Sequence, residues 1–178
     1  MKFTSKEQLA LFTVKEYSAS GKIPRVEKTD VPKDWLRDAA CFVTLFVDGQ
    51  LHGCIGNAEA VGPLYTSIIT NALAAAFEDF RFPTLTKEEL PRLTADVSVL
   101  SPLRAYKPES PEKLITMLTH DKPGLVIEKD GEKALFLPQV WDELPEPNDF
   151  LARLCMKAGL NPDAWKSPHT RFFIFSKE

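Results

Sequence analysis

Cys41-Phe42-Val43-Thr44-Leu45-Phe46-Val47-Asp48-Gly49-Gln50-Leu51-His52-Gly53-Cys54-Ile55-Gly56 is the stretch on which the fold turns. Cys41 to Val47 is β-branched and aromatic, which reads as a strand. Asp48-Gly49 is a tight-hairpin signal, since both residues tolerate the positive φ such a turn needs. Leu51 to Ile55 is then the return strand. Downstream, Gly62-Pro63 opens a helix, with Pro in the first turn where its missing N–H costs nothing. That helix carries Leu64, Ile68, Ile69, Ala72, Leu73, Ala75 and Ala76, an Ala-rich face suited to close packing on a sheet. It ends near Phe77 and delivers Glu78 to Pro83 into a loop. Thr94 to Leu100 is a further strand.

Upstream, Ser5 and Gln8 have capping-box spacing, and the apolar period predicts a helix from about Lys6 to Ser20, stopped by Gly21. Residues 22 to 38, with Pro24 and Pro32, read as a loop. In the second half, Ser110-Pro111-Glu112 opens a short helix through about Leu118. Leu125 to Lys129 and Lys133 to Leu137 flank Asp130-Gly131, a second hairpin of the same kind. Pro138 starts a short helix, and Asn148 to Ala158 forms a longer one with a Schellman ending at Gly159. Thr170 to Phe175 is the closing strand. Each half thus runs strand, Asp-Gly turn, strand, helix or helices, strand. The pattern predicts an α+β fold of antiparallel strands and helices, built on a duplicated strand-hairpin-helix-strand unit. The whole chain, 1–178, is expected to form one domain, with lobes of about 1–108 and 109–178.

The chain has 178 residues, 22 of them basic and 25 acidic, for a net charge of −3. A chain this long buries roughly 70% of its unfolded surface and needs no covalent staples. The acidic balance argues against a dedicated nucleic-acid binder. The three cysteines, Cys41, Cys54 and Cys155, include no C-x-x-C pair. That pattern speaks against a disulfide framework and a four-ligand zinc site, and for a reducing, cytoplasmic setting. No apolar run approaches the roughly 18 residues of a membrane span. Nothing in the sequence calls for a cofactor or a metal.

Leu51 to Gly56 holds the chemistry-bearing side chains. On a regular strand His52 and Cys54 would share a face, and a cationic imidazole near a thiol stabilises the nucleophilic thiolate. This makes Cys54 and His52 candidate catalytic residues, with Cys54 expected to be the most reactive thiol. Gly53 and Gly56 lack a Cβ and let backbone or ligand approach; Gly53 equally fits a bulge. Burial of Cys54 as an ordinary core residue is the competing reading. Asp79 and Arg81, just past the helix, are candidate binding residues expected to meet Cys54 in one cleft. One reading has them bracing the loop as an ion pair; the other has Arg81 reaching an anionic ligand beside Cys54. His120 and Asp121 are expected in a turn, and Cys155 in helix packing.

Together these residues resemble the AMMECR-type family, called AmmeMemoRadiSam system protein A in prokaryotes. Its L-R-G-C-I-G motif stands here as Leu51-His52-Gly53-Cys54-Ile55-Gly56. Its D-P-R-F-P-P-L signature stands as Asp79-Phe80-Arg81-Phe82-Pro83-Thr84-Leu85. Val97 to Pro102, Phe136 to Val140 and Leu154 to Leu160 match later blocks in the same order. His52 replaces the usual arginine and Phe80 the usual proline, which puts a permanent cation at position 52 in question. The resemblance implies an α+β protein of two interlocked lobes, without an established activity. It also implies Memo-type and radical-SAM proteins as partners, and a suggested link to RNA modification. Three classes of function follow. One is an enzyme or substrate-binding component that uses Cys54, the second is a non-catalytic interaction module, and nucleic-acid processing, as an RNA-modification-related protein, ranks last.

Overall fold

A computed structural model describes residues 2–178. It holds four α-helices and two antiparallel sheets, and divides into two compact units that meet in the chain between Leu100 and Ser101. In the first unit, α1 spans Lys6–Ser20. The Ser5 side chain accepts from the Gln8 amide, and Gly21 closes the helix in the left-handed conformation. Gln8 turns its own side chain to the Thr4 amide, one residue further back than a capping box requires. β1 (Cys41–Val47) and β2 (Gln50–Gly56) form the hairpin, and α2 spans Leu64–Phe77. β3 (Leu93–Val99) pairs on the other side of β1, giving the order β2-β1-β3. Helices α1 and α2 cover one face of this sheet, and Val43, Leu45, Ile68, Ala72 and Val97 fill the layer between.

The second unit has β4 (Arg104–Tyr106), α3 (Pro111–Asp121), β5 (Gly124–Lys129), β6 (Glu132–Phe136), α4 (Pro147–Lys157) and β7 (Arg171–Phe175). Its sheet runs β4-β7-β5-β6. The core is aromatic: Trp141 stacks on Phe150 with centroids 3.7 Å apart, and Phe136 meets the same ring edge-on. The Schellman ending of α4 is complete, since the Leu160 amide donates to the Cys155 carbonyl and the Gly159 amide to that of Met156.

The two halves share a strand order. In each, the first hairpin strand is central, the return strand lies on one side and the closing strand on the other, all antiparallel: β2-β1-β3 and β6-β5-β7. Both turns carry positive φ at Asp and at Gly, 51° and 78° in the first, 54° and 87° in the second. Such turns match the right-handed twist of the strands they join. Three details depart from the sequence reading. The division falls after Leu100 rather than near residue 108, because β4 pairs with β7 and draws residues 101–108 into the second unit. Helix α3 runs on to Asp121, so His120 and Asp121 lie in its last turn, and Lys122 makes the left-handed ending in their place. β4 itself, only three residues long, has no signal of its own in the sequence.

Candidate functional site

The hairpin is not regular. Leu45 pairs with Gly53 and Phe46 with Leu51, which leaves His52 as an extra residue in β2. A bulge of this kind interrupts the alternation of faces. Leu51, opposite Phe46, and Cys54, opposite Thr44, therefore share the outer face, away from the helices, with His52 and Gly53 turned inward between them. Gly53 is bare because a Cβ there would overlap the Ala75 carbonyl of α2. His52 is 8% exposed, and its Nε2 is buried with no hydrogen-bond partner. The expectation that His52 and Cys54 share a face is thus overturned, and the cause is the one inserted residue. Gly56 faces β1, where a Cβ would strike the Cys41 carbonyl and the Phe42 ring. Both glycines serve close packing of backbone.

Asp79 and Arg81 do meet Cys54. β2 is an outer strand, so the backbone of Cys54 points its N–H and C=O away from β1. The Cys54 amide donates to Asp79 Oδ2 at 2.9 Å. Arg81 Nη2 donates to the Cys54 carbonyl at 2.9 Å and to Asp79 Oδ2 at 2.6 Å, while its Nε donates to Asp79 Oδ1 at 2.8 Å. A two-pronged arginine–carboxylate pair of this type is strong and directional. The Asp79 side chain is buried and that of Arg81 half exposed. The Arg81 guanidinium holds the Asp79 carboxyl down to about 2, against a smaller opposing effect of burial and with help from the Cys54 amide. The pair therefore braces the loop and clasps the strand edge at Cys54 with the same set of donors.

On the outer face the register builds a row across three strands: Cys54 on β2, Thr44 on β1 and Asp96 on β3. The Thr44 hydroxyl lies 3.2 Å from Cys54 Sγ. Asp96 accepts from the Ser98 hydroxyl at 3.1 Å. Cross-strand neighbours on one face stand about 4.5–5.5 Å apart at Cβ, so thiol, hydroxyl and carboxylate form one polar line. Thr44, Asp96 and Ser98 escape sequence reasoning because their proximity depends on register between strands some fifty residues apart. Alternation within each strand is the one signal that could have grouped them. Leu51 and Phe80 leave apolar surface exposed in this unit, Phe80 at 96%.

The other thiols differ. Cys41 is buried, and burial pushes its pKa up to about 11, partly offset by the Asn71 amide. Cys155 is buried in the second core, and its pKa is raised for the same reason. Cys54 alone is partly exposed, and all three are free. Among the described residues no group of three or more His, Cys, Asp or Glu could hold a metal ion. No described helix is long and apolar enough to cross a membrane.

The fold and motif together define an α+β protein with a cysteine-bearing, clasped strand edge. A profile of the AMMECR1 family matches residues 7–178, and the chain belongs to that family. A protein of Methanothermobacter thermautotrophicus is 36% identical over 172 residues, which cover 96% of this chain and 89% of its own. One from Nanoarchaeum equitans is 38% identical over 167 residues, covering 90% and 89%. The crystal structure of an uncharacterised protein from Pyrococcus horikoshii matches with a TM-score of 0.88 at 34% identity, over 97% of this chain and 87% of that one.

Proposed function

We propose that the outer face of the first sheet is a small-molecule site in which Cys54 contacts the ligand, as nucleophile or as fixed sulfur. The chain would act as an enzyme or substrate-binding component of an AmmeMemoRadiSam-like system. The observation that carries this reading is the row Cys54–Thr44–Asp96, with the one partly exposed thiol of the chain at its end. A hydroxyl that donates to sulfur orients it and favours its thiolate, and a carboxylate one strand further gives the face a second polar group for a ligand to meet. The clasp by Asp79 and Arg81 fixes the backbone that carries the sulfur, which is how a site holds geometry without rigid surroundings. Three free thiols fit a reducing, cytoplasmic setting.

A thermal-shift screen of metabolites against the wild type and Cys54→Ala tests the proposal. Compounds that raise Tm of the wild type and not of the variant are expected. Identical shifts in both proteins would remove Cys54 from the site. A second reading, an interaction module that docks a Memo-type or radical-SAM partner, is favoured by one observation: Phe80 stands almost fully exposed between the two clasp residues. Titrating purified Memo-type and radical-SAM proteins against the wild type and Phe80→Ala by calorimetry separates the two. Binding that is lost in Phe80→Ala and kept in Cys54→Ala supports docking.

A further inference from the structure

A cavity of about 540 Å³ lies wholly within the second unit, between the segment from Ala105 to Leu114 and the segment from Trp165 to Phe173. Its size falls in the range of roughly 300–1,000 Å³ typical of small-molecule sites. Its walls are apolar and aromatic: Tyr106, Leu114, Trp165 and Phe172. Three cations border it, Lys107, Lys166 and Arg171, against one carboxylate, Glu109. The cations are not equally available. Arg171 is paired with Glu128, and Lys166 with Asp163 at 2.7 Å. Lys107 is exposed and takes part in no ion pair among the described residues. The Tyr106 hydroxyl likewise has no hydrogen-bond partner among the described residues. Lys166 already rests its Nζ over the Trp165 ring, 5.2 Å from the centroid, which places its charge at the aromatic wall. The start of α3 is not the source of attraction, because Ser110 already accepts from the Lys113 amide there.

We propose that this cavity binds a small flat aromatic anion, its ring against Trp165 and Tyr106 and its carboxylate or phosphate held by Lys107 and Lys166. An apolar wall alone would accept any hydrophobe. The excess of cations at the rim selects the negative one; the unengaged Lys107 meets the charge without breaking an existing pair, and Lys166 shares its ammonium between the ligand and Asp163. The site is independent of Cys54, since every residue that lines it follows Leu100.

The test uses 2-naphthoate, its neutral analogue 2-naphthylmethanol, and the indole N–H resonances of the intact protein. The chain has three tryptophans, Trp35, Trp141 and Trp165, so each signal is assignable by substitution. The naphthoate is expected to shift the Trp165 resonance and leave Trp35 in place, and to bind at least fivefold tighter than the alcohol. The double variant Lys107→Glu, Lys166→Glu is expected to weaken naphthoate binding tenfold or more while leaving the alcohol's unchanged. Both lysines are exposed, so the unliganded spectrum serves as the check that the variant is folded. Equal binding of alcohol and naphthoate, undiminished binding by the double variant, or no Trp165 shift at millimolar naphthoate would each overturn the proposal.

Discussion

Solvent reaches Cys54 where it does not reach Cys41 or Cys155, and that difference orders the three thiols. Alkylation by iodoacetamide, read by mass spectrometry at each cysteine, is expected to modify Cys54 in the native protein. The other two should react only as the protein unfolds, because burial disfavours their thiolates. Gly53 tests the bulge. Its missing Cβ makes room for the Ala75 carbonyl, and backbone cannot swing aside as a side chain can. Gly53→Ala is expected to cost about 3 kcal/mol or more in urea unfolding. Gly131 offers the contrast: a Cβ there meets nothing, but φ is 87°. Gly131→Ala should therefore cost only the backbone strain, about 1–2 kcal/mol. At this scale the motif was legible as chemistry and partly misread as geometry. Cys54, Asp79 and Arg81 do converge, but His52 does not join them. Sequence alternation assumes a regular strand, and one extra residue sends His52 to the opposite face.

The element that organises the first unit is the clasp between the end of α2 and the edge of β2. Asp79 has its pKa lowered from 3.8 to about 2. A depressed carboxylate adds stability above its unfolded value and loses it as pH falls through the folded one. The clasp should therefore contribute about 2 kcal/mol above pH ~4 and nothing below pH ~2. Urea titrations of wild type and Asp79→Ala from pH 7 to pH 2 are expected to converge over that window. Arg81→Ala leaves a buried carboxylate with both of its side-chain donors removed, so it should destabilise at neutral pH by about 2–3 kcal/mol. Elements with their own local code were legible: α1 from its cap and left-handed glycine, both hairpins from Asp-Gly. β4 was not, because three residues gain strand identity only from pairing with β7, some seventy residues away. The end of α3 was missed for a related reason. Pro123 forbids helix, yet the chain continues to Asp121 before Lys122 turns it.

At the scale of the molecule, each unit has its own core. The first gathers buried residues from Phe3 to Val99, the second from Leu114 to Phe172, and none belongs to both. Phe150 is fully buried and touches the Trp141 and Phe136 rings. Phe150→Ala is expected to cost about 3–5 kcal/mol within the second unit. In that variant, hydrogen exchange should show amides of β5 and β7 losing protection well before those of β1. The common strand order explains why the rhyme between the halves was visible without sequence identity. What recurs is a positive-φ hairpin whose first strand becomes central when the closing strand pairs on its other side, and many side chains can satisfy that arrangement. The α+β class was legible for the same reason, since short turns force antiparallel neighbours. The outer-face row was not, because it needs two registers to be known at once.

The bulge and the clasp have a bearing on how copies of this chain behave together. β2 ends its sheet, and an exposed strand edge is a template for another molecule's strand. Asp79 and Arg81 fill the outward amide and carbonyl of Cys54 with side-chain partners, and the bulge at His52 bends the rest out of line. Protonating Asp79 weakens its hold on that amide and on Arg81. In the acid window of the clasp, light scattering should therefore rise before circular dichroism falls. The same carboxylate that holds the cysteine in place would then also keep the protein from polymerising edge to edge.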